Sequence, residues 1–226
     1  RALRSAKKIT IVQNRLVDLD VLRLVFTFVF CEDKIPQFSR KRTSLVIGDG
    51  FGTLSSLLYE NTSHKIICIN LNEVLLVDYF FTRGIIPNEE TVLAETVEDL
   101  NEAMETERIR FICIRADNHE LLKNVPIDIA FNTASMQEMN PHITEQYFND
   151  MRECKRDTLY FYCCNRVEKV LPDGTIAKFS DYPWDSSDEI IVDELCPWHQ
   201  YFYTGCRPPF YVQYDGPTQH RLVKMK

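Results

Sequence analysis

Three glycines at alternating positions, Gly48, Gly50 and Gly52, interrupt an apolar run that begins at Ser44 and resumes with helical spacing up to Leu58. Leu45, Val46 and Ile47 are β-formers without a polar break, as a parallel strand covered on both faces requires. Leu54, Leu57 and Leu58 then follow at i, i+3 and i+4, with Thr53 placed to cap the helix. A strand, a tight loop and a helix in this order confine the chain to an α/β architecture with a ligand site at the loop. The loop's spacing narrows the ligand. A dinucleotide fingerprint, G-x-G-x-x-G, needs glycine at position 53, where Thr53 stands, and no G-K-[ST] follows for a phosphate loop.

The pattern repeats downstream. Lys65 to Ile69 makes a second short strand ending at Asn70, 22 residues after Gly48, close to the roughly 20 that separate a glycine loop from the polar residue meeting ribose hydroxyls. Asn72 is placed to cap the next helix, with Gly84 as its stop. Asn88-Glu-Glu reads as the start of a third helix carrying Leu93, Val97, Leu100 and Met104. Arg110 to Arg115 is a third strand ending at Ala116-Asp117, and Ile127 to Phe131 a fourth. Asn140-Pro141 opens a helix with Ile143, Tyr147, Phe148 and Met151 on one face, and Thr158 to Cys164 is a fifth strand. Such alternation implies a mainly parallel sheet with right-handed crossovers. Residues 15 to 31 form an element packed beside the sheet, helix or strand.

With 226 residues the chain is long enough for one sizeable core, so a single domain over 1–226 is expected. Within it, residues 1–43 form a packing segment, 44–166 a cofactor-binding core, 167–209 an insertion or lid, and 210–226 a pair of strands joined by a tight turn at Asp215-Gly216-Pro217. The insertion holds both tryptophans, in Tyr182-Pro-Trp184 and Cys196-Pro-Trp-His199. The net charge of −7 is uneven: residues 1–43 carry ten Lys/Arg against four Asp/Glu, the rest sixteen against twenty-nine. An acidic body repels nucleic acid, which excludes it as an expected partner. Val25 to Cys31 falls far short of the ~20 apolar residues a membrane helix needs, so no span is expected. Cys68, Cys113, Cys163 and Cys164 lie in apolar runs and read as core thiols, no C-x-x-C pair occurs, and no metal site is expected. A reducing cytoplasm fits these thiols. The chain begins at Arg1 without methionine, as a fragment of a longer protein would.

The G-x-G-x-G loop resembles the first motif of class I S-adenosylmethionine methyltransferases, whose cofactor carries no phosphate and lies against a bare glycine loop. Further segments resemble the sugar O-methyltransferase family found near bacterial polysaccharide genes. They are Val46-Ile-Gly-Asp-Gly-Phe-Gly-Thr-Leu54, Asn70-Leu-Asn-Glu-Val-Leu-Leu76, Asn132-Thr-Ala-Ser-Met-Gln-Glu-Met-Asn140, Tyr160-Phe-Tyr-Cys-Cys-Asn-Arg166, the Pro172-Asp-Gly174 turn and Gly216-Pro-Thr-Gln-His-Arg221. With the strand order above, the resemblance implies a Rossmann-like methyltransferase fold, an α/β sheet of about seven mainly parallel strands with the last antiparallel and helices on both faces, and transfer of a methyl group from S-adenosylmethionine to a hydroxyl of a sugar or glycan-related small molecule. Cofactor contacts are then expected at Gly48, Asp49, Gly50, Gly52, Asn70, Leu71, Asp117 and Asn132. Two positions depart from the methyltransferase pattern: Val46 stands where an acidic residue is usual, and Asn70 where a ribose-binding carboxylate is usual. Asp49 either substitutes in part or is a solvated turn residue.

A sugar hydroxyl is weakly acidic, so a general base is expected, and histidine is the side chain best matched to neutral pH. His220 is the first candidate, if the preceding strand runs parallel and its turn delivers the imidazole to the ligand face. His199 is second, and Glu138 is placed to orient the histidine or the acceptor. His64 reads as surface and His119 as a neighbour of the adenine. The alternatives are a non-catalytic methyltransferase-like binding module, which Val46 and Asn70 favour, and more distantly a nicotinamide oxidoreductase.

Overall fold

β1 (Thr43–Ile47) is buried at every position, as a run with no polar face demands. The protein is seen here as a computed structural model that describes residues 1–154, 156, 158–203, 208–214 and 216–226. Two helices precede β1, α1 (Ala2–Val12) and α2 (Leu19–Lys34). The ambiguous stretch at 15–31 is thus largely helix. Asp18 fixes its start by accepting a hydrogen bond from the Val21 amide at 2.9 Å, and Val21, Val25, Phe28 and Cys31 form its buried stripe.

After β1 come α3 (Thr53–Asn61), β2 (Lys65–Asn70), α4 (Asn72–Thr82), β3 (Thr91–Leu93), α5 (Val97–Glu105), β4 (Phe111–Arg115), β5 (Ile129–Thr133), α6 (Pro141–Glu153) and β6 (Leu159–Arg166). The remainder holds β7 (Glu168–Val170), β8 (Ile176–Lys178), β9 (Glu189–Leu195), β10 (Tyr201–Tyr203), β11 (Tyr211–Gln213) and β12 (Thr218–Met225). Eight strands form the central sheet in the order β3-β4-β2-β1-β5-β6-β12-β9. β1 to β6 pair in parallel, and β12 runs antiparallel to both its neighbours, β6 and β9. The mainly parallel sheet with an antiparallel last strand is therefore present, with the three-residue edge strand β3 in addition.

Alternate residues of each strand supply two cores. Leu45 and Ile47 point with Ile67, Ile112 and Phe161 toward α5 and α6. Val46 points with Cys68, Phe131 and Tyr162 toward α1, α2 and α3. Phe131 is fully buried, and truncating such a residue to alanine costs about 3–5 kcal/mol. All seven cysteines among the described residues are free and buried.

Two expectations are corrected. Asn88–Glu90 is a 3-10 turn leading into β3, and Leu93 belongs to that strand. Helix α5 starts later because Thr96 and Asp99 form a capping box, each accepting from the other's backbone N–H. At the other end, residues 210–214 do not join the sheet beside β12. β11 pairs with β10 in a separate hairpin, and β9, from the stretch expected as an insertion, takes the place next to β12. Asp215 of the expected turn lies outside the described residues. Among the described residues no helix is long and apolar enough to cross a membrane.

Candidate functional site

The chain leaves β1 toward β2 on one side and returns to β5 on the other, so the strand order reverses beside β1. In open α/β sheets a crevice forms outside the carboxyl ends of the strands at such a reversal. Here it is a cleft of about 1040 Å³. The glycine loop, Asn70 and Leu71 after β2, Ala116, Asp117 and His119 after β4, and Thr133 to Ser135 with Glu138 after β5 form its floor. Arg15, Asp20, Arg23, His199 and Tyr214 face them.

Gly48, Gly50 and Gly52 have φ of +71°, +81° and +59°, where a Cβ is strained. Their surroundings differ. A Cβ on Gly48 would collide with Ser135 and one on Gly52 with Thr82, whereas a Cβ on Gly50 would meet nothing within 4 Å. Gly50 lines the cleft and is the one of the three whose Cβ direction is unobstructed. Gly52 does not line the cleft; it packs against α4 as the N-cap of α3. Thr53, expected to cap, is the first helical residue, and the capping role falls to Asp49. Its carboxylate accepts from the Leu54 and Ser55 amides at 2.9 and 2.7 Å, the position a helix dipole favours for negative charge.

Val46 is a core residue on the α1–α3 side of the sheet, and Asn70 meets a buried carboxylate beneath the loop. Asp78 of α4 is fully buried and accepts from the Gly52 amide at 3.0 Å and from Asn70 Nδ2 at 2.8 Å. The amide at position 70 complements this carboxylate where a second carboxylate would repel. Asn70 Oδ1 accepts from the Leu71 amide at 3.0 Å and keeps a second lone pair. Burial, and then the nearby charge of Asp49, push the Asp78 carboxyl up to about 7. Sequence reading missed Asp78. Its signal is an acid three residues after Leu75 and four before Thr82, on the buried stripe of α4.

Of the other expected residues, Asp117 stands exposed at the rim. Asn132 does not line the cleft. Its amide is buried and saturated, donating to the Ile47 carbonyl and Ser135 Oγ and accepting from the Met136 amide and Asn165 Nδ2. Ala134, two residues on, lines the cleft with a φ of +60°, backbone strain of a kind that gathers at functional sites.

His220 is the main correction. It is 1% exposed and absent from the cleft. Its ring sits 5.0 Å from those of Phe30 and Trp198, and its Nδ1 is 3.3 Å from Tyr162 Oη. The parity of β12 decides this: His220 shares a face with Leu222, which packs under α2. His199 and Glu138 do reach the cleft. Glu138 pairs with Lys169 at 2.6 Å. Burial, with Arg23 and Arg166, pushes the His199 imidazole down to about 3.

A dyad unforeseen in the sequence completes the site. His119 Nδ1 lies 2.6 Å from Asp150 Oδ2, and Asp150 is 1% exposed. With Nδ1–H donated to that carboxylate, Nε2 is left as an acceptor. His64, expected at the surface, is fully buried between Ser44 and the Phe38 carbonyl, far from the cleft lining. Among the described residues no group of three His, Cys, Asp or Glu side chains is placed to hold a metal ion.

No protein-family model matches the chain, and no curated protein does. Solved structures do. A Thermoplasma acidophilum protein aligns over 99% of this chain and 96% of its own at 8% identity, with a TM-score of 0.57. Geranyl diphosphate C-methyltransferase from Streptomyces coelicolor, solved with Mg2+, geranyl-S-thiolodiphosphate and S-adenosyl-L-homocysteine, aligns over 88% of this chain and 74% of its own, at 11% identity and a TM-score of 0.55. A SAM-dependent methyltransferase from Leishmania major covers 91% of this chain and 71% of its own, at 9% identity and a TM-score of 0.50. The fold is thus the Rossmann-like one of class I methyltransferases. At such identities the likeness reaches no further than the fold.

Proposed function

We propose that this chain is an S-adenosylmethionine-dependent O-methyltransferase. The observation that carries the reading is the open side of Gly50, a cradle a side chain would fill, at the floor of a cleft that also gathers Asn70 and Asp117 at strand ends. These residues fit the cofactor. The glycine backbone leaves room for close approach, Asn70 Oδ1 has a lone pair for a ribose hydroxyl, and Asp117, with the His119 ring beside it, offers acceptors to the adenine amino group. The cofactor supplies an electrophilic methyl on sulfur, open to in-line attack.

What this chain must add is alignment and proton removal. Holding two reactants in line is worth on the order of 7–11 kcal/mol in the best intramolecular cases. With His220 off the cleft, the acceptor's proton falls to His199 or Glu138. His199 is neutral at any physiological pH, so it accepts a hydrogen bond readily but is a weak base. A sugar hydroxyl as the acceptor rests on the sequence resemblance alone. The weakness of His199 as a base, with Glu138 engaged by Lys169, favours the second reading, a binding module without turnover. Titration with S-adenosylhomocysteine followed by transfer of labelled methyl to a panel of sugars and uronic acids separates them: binding with transfer supports the enzyme, and binding without transfer to any acceptor supports the module.

A further inference from the structure

Arg23 has no part in the reading above, yet its position is unusual. It lies in the middle of the apolar run of α2, is 3% exposed, and lines the cleft. Its guanidinium donates to Tyr214 Oη at 2.7 Å and to the Tyr201 carbonyl, and it pairs with Asp20. The Asp20 side chain is 75% exposed, so its charge is largely spent on water and neutralises the buried guanidinium poorly. Arg23 Nε is buried and has no hydrogen-bond partner among the described residues. A buried cation with an unused donor is expensive to maintain in a fold that gains nothing from it.

A second guanidinium stands nearby. Arg166 lies 5.5 Å from the Tyr214 ring, whose other close cation is Arg23 at 4.8 Å. His199, beside them, is kept neutral. The planar fork of a guanidinium matches a carboxylate or phosphate, which accepts two parallel hydrogen bonds. A cofactor carboxylate at the glycine loop would meet Arg15 first. Arg15 stacks at 4.3 Å on Phe51 of the glycine loop and reaches Thr53 Oγ1 at 3.5 Å, whereas the contacts of Arg23 run to residues 201 and 214, away from that loop.

We propose that the acceptor carries an anionic group, a carboxylate or phosphate, which docks on Arg23 at the His199–Tyr214 end of the cleft. This rests on the methyltransferase reading for the word acceptor, but the anion site stands on the geometry of Arg23. Docking would also offset one of the two cations that hold down the basicity of His199, so recognition and proton removal would be linked.

The test uses the full chain with benzoate, phenyl phosphate and the neutral isostere benzamide, titrated calorimetrically with and without saturating S-adenosylhomocysteine. At least one anion should bind roughly tenfold or more tighter than benzamide, and the better of the two assigns the group as carboxylate or phosphate. R23Q should abolish the preference, R23K should keep part of it, and the affinity of both variants for S-adenosylhomocysteine should stay within about twofold of wild type. Equal binding of benzamide and the anions by wild type overturns the proposal, whether or not the variants fold. So does a preference that survives R23Q, or an R23Q variant that loses S-adenosylhomocysteine instead. If wild type shows an Arg23-dependent preference but no affinity for S-adenosylhomocysteine, the anion site stands and the methyltransferase reading falls.

Discussion

Exchanging the amide and the carboxylate beneath the glycine loop should be tolerated far better than the parts of the exchange suggest. In the wild type Asn70 Nδ2 donates to Asp78 Oδ2 across 2.8 Å, while Asp78 Oδ1 serves the Gly52 amide. N70D sets two carboxylates against each other. D78N alone sets two amides together and leaves either Asn70 or Gly52 facing an N–H. The double variant N70D/D78N restores one donor to one acceptor and still provides oxygens for the Gly52 and Leu71 amides. A buried hydrogen bond to a charged group is worth about 1.5–3 kcal/mol, so D78N should stabilise N70D by about 2–3 kcal/mol more than it changes the wild type. In a chain of this length that is roughly 4–12 °C of melting temperature. The cycle is to be measured at pH 8, above the titration of Asp78, by thermal and urea unfolding. Additivity within about 0.5 kcal/mol would refute the assignment. A pH series checks the same network. Asp78 is lifted from an ordinary 3.8 to about 7, so across that window the folded state holds a proton the unfolded chain has released. Stability from this group is full below about 4 and is lost as the pH rises to about 7. The difference between wild type and D78N should therefore narrow over that range.

Other substitutions separate packing from binding. G48A should lower stability by about 1–3 kcal/mol through strain at positive φ and collision with Ser135, seen as a lower urea midpoint. H220A should cost about 2–4 kcal/mol of stability as its aromatic cage empties, yet leave the affinity for S-adenosylhomocysteine unchanged; a large loss of affinity would return His220 to the site. D150N removes the carboxylate that orients His119, and should weaken adenosine or S-adenosylhomocysteine binding by about tenfold without lowering the binding of anions at Arg23.

The sequence was most informative where periodicity and special backbone coincide. The strands from β1 to β6 other than β3, together with β12, α3, α4 and α6, follow from apolar runs and their punctuation, and the positions just beyond those strands are the cleft floor. Gly48, Asp49, Gly50, Asn70, Leu71, Asp117 and Glu138 all lie there, and His199 faces them. Long-range pairing was not legible. Residues 210–214 read as a strand and 189–195 as part of an insertion, and only the pairing of β9 with β12 shows which of the two completes the sheet. His220 was placed by its nearness to a turn at the strand end, a cue that leaves its face open, and its side chain packs under α2 between Phe30 and Trp198. Asp78 and Arg23 were hidden for a different reason. Each is a charge inside the apolar run of a helix, which pattern reading treats as an exception to the core, whereas folding turns it into a fixed polar group beneath or inside the cleft.

The central claim is tested most directly by calorimetric titration of the wild-type chain and of G50V with S-adenosylhomocysteine, with NAD as the control ligand. The wild type should bind S-adenosylhomocysteine saturably at one site and ignore NAD. G50V, whose new side chain would occupy the open face of the loop, should lose that binding while keeping a cooperative unfolding transition. No binding by the wild type at millimolar ligand, a preference for NAD, or equal affinity in G50V would contradict the account.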